Sequence, residues 1–467
     1  MSAVHARVTR RLVALVCFVV SAIASVGTAA DLHELYLLAL VNDPTYQSAN
    51  FVLQAARQQR PEAFSALLPS IIGTGSANRT FGKTTYTGIP EVDRSFDSDQ
   101  WVVQLTQPLL RVQNNILYGE SKAAVEQAVA QYAAAEQDLI LRLTRAYFDV
   151  VVAERHINAA RAQVAALDEQ LHAARRSFEA GVASITDVDD TQSRAALAQA
   201  QLEGAVNDRE AARAALEAII GEPPAALSEL KTAAVLPRPI PSDPALWVSR
   251  ALEDNPMIKA ANAAITVADW ELRRSEAQRL PTVDLVASYG GNYSSGNITE
   301  PTNFGSNVKD RSVSIQFSVP LLEGGAIRAH VAEARAKRSK AQADFTGAQR
   351  QATLNTRQSY AAILSGVSQV HALETAVAAG RSAVKGNKVG YGLGIRINSD
   401  VLNAEQQLYS SLQDLEKARY DTLFEGLKLK AATGGLSADD LKAINSLLEV
   451  PANSELPESM PKAPGSP

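Results

Sequence analysis

Cysteine is nearly absent from this sequence, because Cys17 is the single one among 467 residues. It lies in an N-terminal segment that we predict to be removed, so the mature chain should contain neither a disulfide nor a thiol nucleophile. After that segment, no apolar run is long enough to form a transmembrane helix. Any contact of the mature chain with a membrane must therefore use β-strands or a surface helix.

The N-terminal segment, residues 1–30, has the pattern of a secretory signal peptide. Three arginines precede an apolar run from Leu12 to Val26, and the small residues at 28–30 close it. A transmembrane anchor is the alternative, but the run is short for a span of ~20 residues. We therefore expect cleavage before Asp31 and an exported mature protein.

Charge and reactive side chains exclude further classes of protein. The chain carries 50 acidic and 45 basic residues, and loss of the three leading arginines takes the net charge from −5 to about −8. This balance argues against a nucleic-acid partner. The histidines of the mature chain lack metal-ligand spacing, so we predict no enzyme activity, no metal and no cofactor. They are His33, His156, His172, His330 and His371.

The mature chain contains an internal duplication. Landmark residues recur at an offset of 212 in the first part of each copy and 213 in the later part. The pairs are Pro44 and Pro256, Pro69 and Pro281, Pro108 and Pro320, Tyr147 and Tyr360, Gly181 and Gly394, Asp187 and Asp400, and Gly221 and Gly434. We predict a tandem duplication with repeats at 31–236 and 237–448, followed by a disordered tail at 449–467 that is rich in Pro, Ser and Glu.

Each repeat predicts the same order of elements: a helix, two strands, a very long helix and a last helix. The long helices would extend ~100 Å, which no compact domain requires. The predicted helices are Leu32–Ala66, Leu110–Arg176 and Thr186–Ile220, then Pro244–Arg279, Leu321–Lys388 and Ser399–Ala432. The predicted strands are Leu68–Thr80, Trp101–Gln107, Thr282–Tyr289 and Arg311–Val319, with loops at Arg79–Gln100 and Gly290–Asp310.

The strands alternate apolar and polar residues, most clearly in Arg311–Val319. This alternation fits a membrane barrel with its apolar face toward lipid, or a soluble antiparallel sheet with one wet face. Four strands cannot close a barrel, so two, three or four copies would be needed to supply eight, twelve or sixteen strands. Alanine is frequent in the long helices, which favours close packing into a curved wall over an ordinary long coiled coil.

Three segments are more specific: DLHELYLLALVNDPTYQSA, FEAGVASITDVDDTQSR and the stretch that begins GYGLGIRINSDVLNAEQQ. They resemble the TolC family of outer-membrane efflux proteins, over essentially all of 31–448. The resemblance implies a mainly α fold with a small β part, in a homotrimer. Its twelve shared strands would form one β-barrel in outer-membrane lipid, and its helices would form a periplasmic α-barrel. The periplasmic end would close to a gate and dock, through a membrane-fusion adaptor, onto an inner-membrane ABC or RND exporter.

The resemblance also implies working residues at two matching helix starts. Asp400 matches an acid that lines the closed entrance, where identical protomers would form a ring of carboxylates that attracts cations. Asn403, one helical turn later, matches the position of a second acidic ring. Tyr391 and Arg396 resemble residues that tie the inner helix pair to the outer one, and their partners would be Thr186 and Asp187. From the residues alone, Asp187 and Asp400 are equally explained as helix caps.

We therefore predict an exit duct for type I protein secretion, multidrug efflux or both, which catalyses no reaction. The alternative is a periplasmic adaptor or structural protein built from long helical hairpins. Such a protein would not need alternating strands.

Overall fold

The computed structural model of the protein describes residues 31–231, 234–298 and 302–449. The predicted signal peptide, 1–30, and residues 450–467 of the predicted tail lie outside this part of the chain. The first residue of that tail, Glu449, belongs to a short strand instead.

The described elements repeat the order helix, helix, strand, strand, helix, helix. In chain order they are α1 (Leu32–Asn42), α2 (Pro44–Ser65), β1 (Ser70–Tyr86), β2 (Ile89–Leu110), α3 (Val112–Glu179), α4 (Ile185–Ile220), β3 (Glu229–Leu230), α5 (Pro244–Asp254), α6 (Pro256–Ala277), β4 (Thr282–Ser294), β5 (Ser306–Ser318), α7 (Ala326–Gly392), α8 (Asn398–Ala432), α9 (Ala438–Asn445) and β6 (Leu448–Glu449).

The first predicted helix of each repeat is in fact two helices. The helix is interrupted at Asp43, before Pro44, in the first repeat and at Asn255, before Pro256, in the second. Proline has no backbone N–H and disfavours helical geometry in the residue that precedes it, which explains both breaks. Asp43 and Asn255 each accept backbone hydrogen bonds from the helix that follows, at distances of 2.6 Å from Tyr46 and 2.9 Å from Met257.

The chain divides into two compact units. The first unit comprises the described residues of Met1–Gln47, Glu136–Ala251 and Leu354–Pro467, and the second comprises Ser48–Ala135 and Leu252–Thr353. Each unit therefore combines segments of both predicted repeats.

In the second unit, four antiparallel strands form one sheet in the order β1-β2-β4-β5. The predicted loop at Arg79–Gln100 is wrong, because β1 and β2 continue through it to a tight turn at Gly88. Its charged residues pair across the strands, as Arg79 does with Asp97 at 3.5 Å and Lys83 with Glu91 at 3.1 Å. The predicted loop at Gly290–Asp310 also shortens, to residues between Ser294 and Ser306.

The two faces of this sheet differ in polarity. Val313, Ile315 and Phe317 of β5 lie opposite Ala287, Leu285 and Val283 of β4, and all six side chains occupy one face. The other face of β4 and β5 is mostly polar, and there the hydroxyls of Ser288 and Ser312 lie 2.8 Å apart. The apolar face is exposed, with Ile315 at 69%. Both outer strands, β1 and β5, have one edge that pairs with no described strand.

In the first unit, an apolar core gathers around Tyr147, Phe148 and Tyr420. The hydroxyl of Tyr147 donates to the Ser228 carbonyl at 2.7 Å, and that of Tyr420 accepts from the Leu230 N–H at 2.8 Å. These bonds fix the segment that carries β3, which pairs with β6. The sequence did not predict β3, β6 or α9, because each is too short to show a hydrophobic period.

A buried ion pair also stabilises the first unit. Arg142 donates to both carboxylate oxygens of Asp43, at 2.9 and 3.1 Å, and Asp43 is only 2% exposed. Burial alone would raise the pKa of Asp43. The hydrogen bonds from Arg142 and the Tyr46 N–H, together with the charge of Arg142, outweigh burial and lower this pKa below its ordinary value of 3.8.

Asp43→Asn is expected to destabilise the protein at neutral pH by about 1–3 kcal/mol, because Arg142 loses its buried partner. Since the folded pKa of Asp43 is lowered, its contribution is present above the unfolded pKa and disappears as the pH falls through the folded pKa. Denaturant unfolding at neutral pH and in increasing acid measures this difference. Asp138→Asn is the control, because Asp138 also pairs with Arg142, at 2.6 Å, but is exposed. A difference between Asp43→Asn and wild type that persists in strong acid would exclude the charge as its cause.

Candidate functional site

Two matching turns join the long helices of each repeat to the last helices, α3 to α4 and α7 to α8. Each turn contains a glycine with positive φ, 75° at Gly181 and 73° at Gly394. The Val182 N–H donates to the Ser177 carbonyl, and the Ile395 N–H donates to the Gly390 carbonyl, both at 2.9 Å. Ser177 and Gly390 are 213 residues apart, as are Val182 and Ile395. The long helices of the two repeats therefore end with the same backbone hydrogen bond.

Asn398 connects the two turns from a buried position, being 1% exposed. Its amide nitrogen donates to the Thr191 hydroxyl at 2.7 Å and to the Asp187 carbonyl at 3.3 Å. Its amide oxygen accepts from the Gln170 side chain at 2.7 Å. We call Gln170, Thr191 and Asn398 the amide cluster. It joins α3, α4 and α8, and it was not predicted from the sequence.

Asp187 and Asp400 occupy equivalent positions but have different partners. In the first repeat, the Ser184 hydroxyl accepts from the Thr186 N–H at 3.3 Å, and the Asp187 carboxylate accepts from the Ser184 N–H at 3.2 Å. Asp187 is therefore part of a capping box. In the second repeat, Ile397 stands at the N-cap and supplies no side-chain acceptor.

The carboxylate of Asp400 is consequently not part of a helix cap. It lies 3.5 Å from the Arg396 guanidinium and is about one-third exposed, while Arg396 is more than half exposed. Asp400 and Asn403 share one side of α8, where i and i+3 are neighbours, and Asn403 is exposed. The described chain thus presents one carboxylate and one amide at the start of this helix.

Tyr391 and Arg396 are not linked to Thr186 or Asp187 by a hydrogen bond or ion pair among the described residues of a single chain. The Thr186 hydroxyl instead donates to that of Ser184 at 2.8 Å. The links between the inner and outer helix pairs therefore stay a prediction.

A second buried charge holds α7 to α8 near the turns. The Lys388 ammonium lies 2.7 Å from the carboxylate of Glu405, whose side chain is 3% exposed. Burial would lower the pKa of Lys388, but the hydrogen bond and charge of Glu405 outweigh it and raise this pKa. Sequence reasoning missed this pair, because neither residue stands out in a helix rich in charges.

The tips of both turns are apolar and exposed. Val182 is 79% exposed in one turn, and Leu393 and Ile395 are 69% and 75% exposed in the other. The amide cluster joins the helices next to the two turns, and each turn presents exposed apolar side chains. Such surfaces commonly bind other proteins.

The site has no feature of a metal centre within the described ranges, where no group of His, Cys, Asp and Glu could hold an ion. The described helices also include none that is both long and apolar enough to cross a membrane.

Comparisons with known proteins agree over most of the chain. A family model described as "Outer membrane efflux protein" matches twice, at residues 35–222 and 247–435. The alkaline protease secretion protein AprF of Pseudomonas aeruginosa is 32% identical over 427 residues, which cover 89% of this chain and 87% of AprF. The outer membrane protein TolC of Vibrio cholerae is 30% identical over 444 residues, covering 93% and 98%.

A solved structure has the same fold at lower identity. The CmeC outer membrane channel of Campylobacter jejuni superposes with a TM-score of 0.74 at 18% identity and covers 89% of each chain.

Proposed function

Since this chain belongs to the TolC family of outer-membrane efflux proteins, we propose that three copies form the gated exit duct of an export machine. As a member of this family it is a channel protein and not an enzyme, and it lies in the outer membrane and extends into the periplasm. Its fold is mainly helical with a small β part.

The observation that carries the proposal is the four-stranded sheet with an exposed apolar face and two open edges. Lipid can cover the apolar face, and only further strands can satisfy the open edges. Three copies give twelve strands, enough to close a barrel with the mostly polar face toward its lumen. A periplasmic adaptor, the alternative, would leave Val313, Ile315 and Phe317 in water, since each is more than 60% exposed.

The gate lies at the paired turns. In a trimer, Asp400 becomes three carboxylates around one axis, which attract cations and repel anions. Asn403 supplies no second ring of charge. Arg396 neutralises part of this ring within its own chain, and with Tyr391 it ties the gate shut against Thr186 and Asp187 of the neighbouring copy.

The apolar tips are the docking surface. Val182, Leu393 and Ile395 would contact a periplasmic adaptor, which in turn joins the duct to an inner-membrane exporter. Opening is then a two-state change that adaptor contacts favour. AprF is named for the secretion of alkaline protease, so we propose a secreted protein as cargo in preference to small drugs.

The double variant Tyr391→Phe/Arg396→Ser is expected to be severalfold more conductive at rest than wild type. Tyr391→Phe removes the hydroxyl of one proposed link, and Arg396→Ser removes both the other link and the partner of Asp400. Single-channel recording of the purified trimer in a planar bilayer measures this change. The control is Lys340→Ser, which removes an exposed i,i+4 pair with Asp344 within α7. Equal conductance of the double variant and wild type, both as folded trimers, contradicts the gate and leaves the duct unaffected.

A further inference from the structure

The apolar face of the sheet ends in a group of aromatic and basic side chains. We call Trp101, Tyr289, Lys309 and Arg311 the rim cluster. The strand pairing places them on the same face as Val313 and Ile315, because Tyr289 pairs with Arg311 and Gly291 pairs with both Trp101 and Lys309. If the proposed barrel forms, this face is in contact with lipid.

The rim cluster is held by ring contacts. The Arg311 guanidinium lies 5.2 Å from the centre of the Tyr289 ring. The rings of Trp101 and Tyr289 meet edge to face with their centres 5.2 Å apart. The Trp101 indole also covers Gly291, where an added Cβ would lie 2.7 Å from its Nε1. Because Gly291 has no side chain, the indole of Trp101 and the side chain of Lys309 lie on either side of this residue of β4.

The four residues of the rim cluster include hydrogen-bond donors and no carboxylate, and the acid next to them on this face is Asp99 of β2. Among the described residues, Lys309 and Arg311 form no ion pair, and the Trp101 N–H has no acceptor. The other basic residues on this face, Arg79 and Lys83, are paired with Asp97 and with Glu91.

Barrel closure would not supply an acid to β5. Strand β1 of the neighbouring copy would pair with β5, and its side chains on the apolar face are at odd positions from Ile71 to Thr85. None of these is acidic.

The depth of the rim cluster identifies the leaflet. The helices adjoin the sheet at the Ser318 end of β5, so the opposite end of the strand points away from the periplasm. The residues from Lys309 to Ser318 match the ~9–11 that a tilted strand needs to cross the hydrocarbon layer. Lys309 and Arg311 therefore lie at the height of the head groups of the outer leaflet, where aromatic girdles are also found.

We propose that the rim cluster binds a phosphate group of an anionic glycolipid in the outer leaflet, one on each protomer. Arginine and lysine donate to phosphate oxygens, and the indole N–H adds a donor from the side. Tyr289 orients Arg311 through its ring face. This inference rests on the proposed barrel, because only then does the apolar face meet lipid.

Native mass spectrometry of the detergent-purified trimer, titrated with bisphosphorylated lipid A, tests the proposal. Wild type should bind up to three lipids, and Lys309→Gln/Arg311→Gln should bind roughly 30-fold more weakly. The conservative variant Lys309→Arg/Arg311→Lys should retain binding. Arg79→Gln is the control, because it removes a basic residue that is already paired on the same face.

Lipid A without phosphates should bind wild type and Lys309→Gln/Arg311→Gln alike, and inorganic phosphate should not displace the lipid. Wild-type affinity in Lys309→Gln/Arg311→Gln, an equal loss in Arg79→Gln, or displacement by inorganic phosphate would each overturn the lipid site. Planar-bilayer steps from the wild-type trimer test the barrel separately. If steps occur without selective lipid binding, the lipid site alone is wrong. If wild type yields no steps, the duct is wrong.

Discussion

Ile315→Lys is expected to prevent assembly of the trimer in the outer membrane. Ile315 lies in the middle of the apolar stretch of β5, between Val313 and Phe317 and opposite Leu285. A lysine facing lipid near the bilayer centre costs about 2–4 kcal/mol. Because a trimer contains three copies, the total is about 6–12 kcal/mol if the costs add. Fractionation of the cell envelope, with native electrophoresis of the outer membrane, measures the assembled trimer.

Ser314→Lys is the matched control. Ser314 neighbours Ile315 in the same strand, is also exposed, and belongs to the opposite face, opposite Val286. In the proposed barrel this face lines an aqueous lumen, where a lysine is tolerated. Ser314→Lys should therefore assemble normally. Equal assembly of the two variants, or a defect in Ser314→Lys alone, would contradict the orientation of the sheet.

Asn398→Ala is expected to have the second largest effect, because it removes the centre of the amide cluster. The buried side chains of Gln170 and Thr191 would each lose a partner, which costs about 2–4 kcal/mol together with the lost hydrogen bonds. The two turns would then separate more easily. We expect a lower thermal unfolding temperature of the trimer and frequent large openings in single-channel recordings.

Asn403→Ala separates the role of the cluster from a general effect of losing an amide. Asn403 lies on the same helix, α8, but is exposed, so its loss should change neither the unfolding temperature nor the frequency of large openings. If Asn398→Ala unfolds at the wild-type temperature and its resting conductance is unchanged, the amide cluster does not hold the turns. If only the unfolding temperature falls, the cluster stabilises the fold without controlling the gate.

Local chemistry explains which parts of this fold could be predicted from the sequence. The prolines and glycines that repeat at a fixed offset are also the residues that end helices, so Gly181, Gly221, Gly394 and Gly434 set the predicted boundaries closely. The clear alternation in Arg311–Val319 predicted β5, since side chains on a strand alternate between faces. The predicted loop at Arg79–Gln100 is wrong because polarity alone does not distinguish a loop from a hairpin whose polar residues pair across its strands.

The candidate site was predicted only in part, because its contacts join distant positions. The position of Asp400 could be predicted from the repeat and the family resemblance. Its absence from a capping box could not, because it depends on Ile397 standing at the N-cap where the first repeat has Ser184. Asn398 contacts Gln170 and Thr191, more than two hundred residues away in the chain. No spacing rule in one sequence reveals such a contact. The pairing of Lys388 with Glu405 was missed because helices contain many charges, and burial decides which pairs matter.

The most direct test of the proposed duct is single-channel conductance of the purified mature trimer in a planar bilayer, with a trivalent cation added on the periplasmic side. We expect small, stable, cation-favouring steps that the trivalent ion reduces. Asp400→Ala should weaken both the cation preference and the block, while Asp189→Ala, an exposed acid at the start of α4, should change neither. A folded trimer that yields no steps at all would contradict the duct and would favour the periplasmic adaptor instead.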